Sequence, residues 1–152
     1  MKDLHLIVLG KLKDQHLEAL ESEYLKRITS PNLKIIEVKA SAENKDVEAE
    51  EALKKIRELE KGTPYIVLLE EKGKTFESPA FSEWINNLTQ KEGSKLFFVI
   101  GGAEGHGEAI RKVAKEKLSL SPLTFPHKLA RLLFVEQFYR AQTIKNKHPY
   151  HK

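Results

Sequence analysis

The stretch LFFVIGGAEGHG (Leu96–Gly107) decides the fold, because five consecutive apolar residues run directly into a turn that contains four glycines. A continuous apolar run of this length is typical of a central strand that is covered on both faces. At the carboxyl end of such a strand, open α/β sheets leave a crevice in which a glycine backbone can approach a ligand closely. A tight turn without a ligand is the other interpretation of Gly101-Gly102.

Segments typical of strands and of helices alternate on both sides of this stretch. Apolar runs predict strands at Leu4–Leu9, Leu33–Val38, Tyr65–Leu69, Leu96–Ile100 and Lys117–Leu120. Helical spacing and capping residues predict helices after the N-cap Asp14, over Asn44–Glu60, after the N-cap Ser78, over Glu108–Ala114 and from Pro126 to about Lys145. This alternation indicates an α/β fold, with a mostly parallel sheet and helices on both faces. A length of 152 residues favours a single domain over 1–152.

The composition narrows the classes of protein. The chain has no cysteine, which excludes disulfides and thiolate metal sites and is compatible with a cytoplasmic location. Its first apolar run, Leu4–Leu9, is too short for a signal peptide or a membrane span, so we expect no membrane association.

Positive charge is concentrated at the end of the chain. The formal net charge is +4, and the segment from Pro126 to Lys152 carries six lysines and arginines against one acid, Glu136. A local basic patch favours a phosphate-bearing partner, whereas a solvated helix end that prefers cations explains the same pattern equally well.

The last helix has apolar residues almost around its circumference, at Leu129, Ala130 and 132–135. A helix of this kind is normally buried on all sides, which a terminal helix in so small a protein achieves most simply at a subunit interface. We therefore predict a homodimer that packs through this helix. The alternative is a helix laid deep in a groove of its own subunit.

Several familiar motifs are absent or incomplete. The glycines at 101, 102, 105 and 107 do not form GxGxxG in any register, and no GxSxG sequence is present. Gly73-Lys74-Thr75 lacks the earlier glycine of a phosphate-binding P-loop, because that position is Leu68. His148 and His151 have no further ligand at suitable spacing and are separated by Pro149, so we predict no metal site.

The connection LSLSPLTFPH (Leu118–His127) contains two prolines, which hold a loop in one shape at a small loss of chain entropy. Such a loop could form the wall of a pocket for an adenine-like ring, or it could be an ordinary rigid connection. After it, His127 and Arg131 lie four residues apart on one helical face, where either could contact a substrate.

Four ordered motifs together resemble one family over essentially the whole chain. They are LLEEKGK (Leu68–Lys74), FVIGGAEGHG (Phe98–Gly107), LSLSPLTFPHKLAR (Leu118–Arg131) and EQFYRA with HPYHK (within Glu136–Lys152). The family is that of the small bacterial methyltransferases that modify a pseudouridine at N3 in the RNA of the large ribosomal subunit, within the SPOUT class. The resemblance implies a deep trefoil knot in the C-terminal part, which neither composition nor periodicity could suggest.

The resemblance also implies S-adenosylmethionine as the methyl donor and a homodimer in which each tail completes the site of the other subunit. The implied donor-binding residues are Leu69, Gly101, Gly102, Leu120, Ser121, Pro122, Leu123, Thr124 and Phe125.

Methylation at N3 of a uracil-type ring requires loss of its proton, so a base or a group that stabilises the resulting anion is needed. The candidate catalytic residues are Arg140, His148, Tyr150 and His151, with Arg140 the best stabiliser of negative charge. The candidate RNA contacts are His127, Arg131, Lys145, Lys147 and Lys152. Because the basic patch is small, we expect the assembled ribosome to be the substrate. The alternative function is a non-catalytic ribosome- or RNA-binding module with the same fold.

Overall fold

The computed structural model describes residues 2–41, 44–91 and 93–152, in which strands and helices alternate along the chain. The strands are β1 (Leu4–Leu9), β2 (Leu33–Val38), β3 (Tyr65–Lys74), β4 (Leu96–Ile100) and β5 (Glu116–Leu118). The helices are α1 (Gln15–Arg27), α2 (Lys45–Leu59), α3 (Ser78–Gln90), α4 (Glu108–Val113) and α5 (His127–Lys145).

The five strands form one sheet in the order β2-β1-β4-β3-β5, and every pair of neighbours is parallel. The predicted central strand Leu96–Ile100 lies in the middle of this sheet and is buried throughout. Because all strands point the same way, their carboxyl ends meet at one edge of the sheet. The turns that follow β1, β2 and β4 therefore lie side by side there.

Helices cover both faces of the sheet, as predicted. On one face, α1, α3 and α5 pack over an apolar cluster in which the rings of Phe98 (β4) and Phe134 (α5) have centroids 5.0 Å apart. On the other face, α2 and α4 pack over a second cluster that includes Phe97, Ile56 and Ile110. None of the described helices is long and apolar enough to cross a membrane.

Three predicted boundaries were wrong for reasons that lie in the packing, and the predicted bounds of α2, the end of α4 and the start of α5 were each wrong by one residue, at the caps. Strand β3 continues past Leu69 to Lys74, since Lys74 pairs with Leu118 beyond an irregularity in the ladder. Strand β5 begins at Glu116 and ends at Leu118, short of the predicted Leu120. Ser78 is the first residue of α3 and not its N-cap, because its hydroxyl donates a hydrogen bond to Gln137 Oε1 of α5.

Helix α5 is only partly covered by its own chain. Phe134, Val135 and Phe138 are buried against the sheet, whereas Leu129 and Leu133 are 42% and 39% exposed. The groove in its own subunit thus accounts for one face of the helix. The other face, with its exposed leucines, is available for the predicted dimer interface, which stays a prediction.

Candidate active site

A cavity of about 760 Å³ opens beside the end of β4, where the middle of β3 and the glycine turn meet the loop before α5. Its volume lies within the usual range of small-molecule sites, about 300–1,000 Å³. The wall contains every residue that the resemblance implied for donor binding except Pro122: Leu69, Gly101, Gly102, Leu120, Ser121, Leu123, Thr124 and Phe125. The fold therefore brings together segments that lie more than fifty residues apart in the sequence.

The glycine turn is compact, and side chains at Gly101 and Gly102 would collide with neighbouring atoms. The N–H of Gly105 donates to the carbonyl of Gly102 at 3.0 Å, which closes the turn. A Cβ at Gly101 would lie 2.8 Å from the Gly105 carbonyl oxygen, and one at Gly102 would lie 2.9 Å from Glu48 Oε1. Gly101 is thus required by packing within the turn, and a side chain at Gly102 would have to displace the Glu48 carboxylate behind it. Both positions present bare backbone on the wall of the cavity.

Hydrogen bonds join the middle of β3 to the turn and to α4. The ring Nε2 of His106 lies 2.8 Å from the carbonyl oxygen of Leu69, and a carbonyl only accepts, so Nε2 carries the proton. Arg111 Nε donates to the His106 carbonyl at 3.2 Å, and Arg111 Nη1 lies 2.9 Å from Glu70 Oε2. No spacing in the sequence indicates these contacts, because only the order of the strands brings Glu70 of β3 and Arg111 of α4 together.

Lowering the pH below about 6.5 is expected to destabilise the fold through His106. Burial lowers the pKa of His106 from its ordinary value of 6.5. Above pH 6.5 the imidazole of residue 106 is neutral in both the folded and the unfolded chain. Below pH 6.5 the unfolded chain binds a proton at this ring, whereas the buried ring of the folded chain stays neutral until the pH falls to its lower pKa. Urea denaturation at about pH 7.5 and about pH 5.5 should therefore show less stability at the lower pH.

The substitution His106→Gln should reduce this loss, and His16→Gln, at an exposed histidine of α1, is the matched control. Burial also lowers the pKa of His5, so part of the effect should remain in the variant. Equal losses in the wild type and in His106→Gln would contradict the assignment.

The charged side chains on the cavity wall are predominantly acidic. Glu70, Glu71 and Glu104 line it together with one arginine, Arg111, which pairs with Glu70. In a chain with a net charge of +4, this local excess of acid favours a positively charged ligand in the cavity.

The four candidate catalytic residues lie together at the other end of α5. Arg140 Nη1 donates to His151 Nδ1 at 2.9 Å, and the Arg140 guanidinium lies 4.8 Å from the centre of the Tyr150 ring. The N–H of Tyr150 donates to His148 Nδ1 at 3.2 Å. The Arg140 guanidinium and the backbone N–H of Tyr150 can only donate, so each histidine accepts at Nδ1. In its neutral form each histidine therefore carries its proton on Nε2.

The environment of this cluster holds Arg140 charged and Tyr150 protonated. The hydrogen bond from Arg140 Nε to Glu136 Oε1, 2.8 Å long, raises the pKa of the arginine above its ordinary value. Burial, followed by a hydrogen bond with Tyr24, raises the pKa of Tyr150 to about 12. At neutral pH this end of the helix therefore presents a cation and hydrogen-bond donors.

Within one chain, the catalytic cluster and the cavity are far apart. The cavity wall includes His127 at the start of α5 and extends along that helix only to Ala130. At a rise of about 1.5 Å per residue, Arg140 lies about 15 Å along the helix from Ala130. The tail does not return to the cavity, because His148 N–H donates to the Thr143 carbonyl and the Tyr150 ring packs on Tyr139.

The five candidate RNA contacts are divided between three places. His127 is exposed at the cavity mouth, and Lys145, Lys147 and Lys152 are exposed at the end of α5 and in the tail. Arg131 is buried, with its Nε 2.7 Å from Glu21 Oε2 and its Nη1 2.9 Å from Glu37 Oε2. Its guanidinium is engaged by two carboxylates of its own chain, so we withdraw Arg131 as an RNA contact.

Replacing Arg131 with methionine is expected to lower the free energy of unfolding by about 3 kcal/mol, because Glu21 would remain as a buried carboxylate without its partner. The exposed pair Arg27–Glu23, at 3.7 Å, supplies the control: Arg27→Met should change stability by less than about 0.5 kcal/mol. Chemical denaturation of both variants measures the difference. Equal effects would show that the buried position of Arg131 has no special importance for stability.

No group of three or more histidine, cysteine, aspartate or glutamate side chains that could hold a metal ion occurs within the described ranges.

Comparison with known proteins gives one consistent result. The family model described as "Predicted SPOUT methyltransferase" matches residues 1–151. A protein of Parabacteroides distasonis named "Ribosomal RNA large subunit methyltransferase H" is 39% identical, over 96% of each chain. Proteins with the same name from Flavobacterium johnsoniae and Clostridium acetobutylicum are 37% and 39% identical, over 98% and 99% of each chain.

Proposed function

Since this chain belongs to the SPOUT methyltransferase family, we propose that it transfers a methyl group to N3 of a pseudouridine in the RNA of the large ribosomal subunit. Membership of this family implies the trefoil-knot fold that the resemblance predicted for the C-terminal part of the chain. The observation that carries the proposal is the cavity, where a bare glycine turn and the proline-bearing loop enclose one space. The whole chain, 1–152, is proposed to act as one domain, and the family match over residues 1–151 supports this.

The methyl donor of the proposed reaction is S-adenosylmethionine. The cavity suits it in size, and its acidic wall suits a ligand that carries a sulfonium and an ammonium group. The backbone of Gly101-Gly102 permits close approach, and the main chain from Leu120 to Phe125 offers N–H and C=O groups to an adenine edge. When bound, this donor supplies an electrophilic methyl carbon on a positively charged sulfur.

The tail activates the acceptor by stabilising negative charge on the ring. N3 is a good nucleophile once its proton is lost, and the charged Arg140 favours the anion that results. With Nδ1 of His148 and of His151 already accepting a hydrogen bond, their Nε2–H groups add donors toward the same anion. In this arrangement the N3 proton passes to solvent, and neither histidine is its acceptor.

The complete site is proposed to form between two copies of the chain. Arg140 lies too far along α5 to reach the cavity of its own subunit, so the tail of a second copy must supply it. The exposed Leu129 and Leu133 of α5 offer an apolar surface on which two copies can pack. Each tail then completes the site of the other subunit.

The assembled ribosome in the cytoplasm is the proposed substrate, because the basic surface of the tail is small for the capture of free RNA. Methyl transfer to intact ribosomes should exceed transfer to free ribosomal RNA from the same cells. Equal methylation of the two would overturn this part of the proposal.

Mass spectrometry of ribosomal RNA from cells that lack the protein tests the reaction itself. One methyl group should be missing from a pseudouridine of the large-subunit RNA, and it should return when the gene is restored. Calorimetry tests the donor: if S-adenosylmethionine does not bind the purified protein, a non-catalytic ribosome-binding module is favoured.

A further inference from the structure

We infer that the substrate RNA also crosses a second basic surface, formed by Lys11, Lys13 and Lys39, beside the cavity at the carboxyl edge of the sheet. We call these three residues the lysine edge. The inference rests on the proposed function, which supplies the RNA, and it adds protein contacts outside the tail and outside the cavity wall.

The strand order places the lysine edge next to the cavity. Strand β1 lies between β2 and β4, so Lys11 follows the strand next to the one that ends in the glycine turn, and Lys39 follows the next strand out. The spacing between neighbouring strands is about 4.8 Å. Direct contact agrees with this placement, since a Cβ at Gly102 would lie 3.0 Å from Leu9 Cδ1, at the end of β1.

The turn after β1 holds its two lysines in a defined conformation. Gly10 and Lys13 both have positive φ, +68° and +54°, and Leu12 between the lysines is only 2% exposed. Positive φ is uncommon for a lysine and costs about 1 kcal/mol or more, so the surrounding structure must enforce it. The N–H of Gly10 donates to the Val38 carbonyl at 2.7 Å, which ties this turn to the strand that precedes Lys39.

The three lysines carry charge that is available to a partner. All are exposed, and among the described residues none has a carboxylate within 4.0 Å. The backbone N–H groups of Leu17 and His16 lower the pKa of Asp14, and the positive charge of Lys128 acts in the same direction. The first turn of α5, next to the cavity-lining His127, is therefore close to the start of α1 and adds a fourth cation.

This surface fits the phosphate backbone of RNA. Lysine ammonium groups without accompanying arginines or aromatic rings hold phosphates as point charges and do not read bases. The acidic cavity wall repels a polyanion, so the strand that presents its base to the cavity needs cations beside the opening. The lysine edge supplies them on the β1 side.

The test compares charge removal at two edges of the sheet. Lys11→Ala/Lys39→Ala removes two charges from the lysine edge, and Lys61→Ala/Lys91→Ala removes two from exposed positions at the opposite, amino edge. Lys13→Asn is the third variant, because asparagine tolerates positive φ. For each variant we would measure co-sedimentation with ribosomes at stepped salt, donor affinity by calorimetry, and kcat and KM for methyl transfer to the same ribosomes.

The lysine-edge double variant should bind ribosomes about tenfold more weakly, and the slope of log affinity against log salt should decrease by about 2. Its KM should rise with kcat nearly unchanged, and its donor affinity and thermal stability should equal those of the wild type. Lys13→Asn should show about half of the decrease in slope. The amino-edge control should behave as the wild type.

Two results would overturn the inference: an unchanged salt slope in the lysine-edge variants, or the same loss in the amino-edge control. A wild-type protein that binds ribosomes but transfers no methyl group would instead defeat the proposed function. The co-sedimentation data would still decide whether the lysine edge contacts RNA.

Discussion

Replacing Arg140 with alanine is expected to lower kcat for methyl transfer by a factor of about 10²–10³, the usual effect of removing a preorganised donor that stabilises developing negative charge. Arg140 is fixed on two sides, by Glu136 at 2.8 Å and by His151 at 2.9 Å, so its guanidinium is oriented before the substrate arrives. Single-turnover transfer of labelled methyl groups to ribosomes measures the loss.

Donor affinity distinguishes this role from a structural one. Because Arg140 lies about 15 Å along α5 from Ala130, the last helix residue on the cavity wall, calorimetry should give the same donor affinity for Arg140→Ala and for the wild type. Arg140→Lys retains the positive charge but not the forked guanidinium that bonds Glu136 and His151. Its kcat should therefore lie between that of Arg140→Ala and that of the wild type. A kcat within twofold of the wild type in Arg140→Ala would remove the residue from the proposed mechanism.

The sequence predicts the fold well where local pattern and global arrangement agree. The apolar run of β4, the Asp14 cap, and the alternation of strands with helices all required only local information. The boundaries that failed depend on distant partners: β3 continues because β5 pairs with it, and Ser78 is not a cap because Gln137 accepts its hydroxyl. No spacing along the chain reveals such partners.

The same distinction applies to the candidate site. The glycine turn could be predicted from the sequence, because glycines at the carboxyl end of a central strand let a ligand approach the backbone closely. Arg131 looked like a surface cation, since its two carboxylate partners come from α1 and β2 and lie far away in the sequence. No pattern in the sequence distinguishes the lysines after β1 and β2, because only the parallel sheet with β1 next to β4 brings them beside the cavity.

The length of α5 separates two chemically opposite surfaces. Its start lies at an acidic cavity suited to a cationic donor, and its end presents Arg140 and the basic tail, which are suited to an anion. One chain alone cannot bring the two surfaces together, because the tail is fixed by Thr143 and Tyr139 at its own end of the helix. Two copies packed in opposite directions through α5 would satisfy both requirements.

Mixing two inactive variants is therefore expected to restore activity. Gly101→Val blocks the cavity turn, because even a Cβ there would lie 2.8 Å from the Gly105 carbonyl oxygen, and it leaves the tail intact. Arg140→Ala disables the tail and leaves the cavity intact. In a heterodimer of the two, one site combines the wild-type cavity of one subunit with the wild-type tail of the other. After unfolding and joint refolding at equal amounts, activity should reach about one quarter of the wild-type value, because about half of the dimers are mixed and each has one complete site.

The controls decide between a site shared by two subunits and a site within one. Each variant refolded alone should stay inactive. Mixed dimers of the double variant Gly101→Val/Arg140→Ala with wild type should also be inactive, because each of their two shared sites would lack one part. Thr124→Trp, at an exposed residue that lines the cavity, is the second blocking variant in case Gly101→Val folds poorly. If Arg140 served the cavity of its own subunit, every mixed dimer would contain one defective part in each site. The mixture would then be as inactive as its components, and the dimeric mechanism would have to be abandoned.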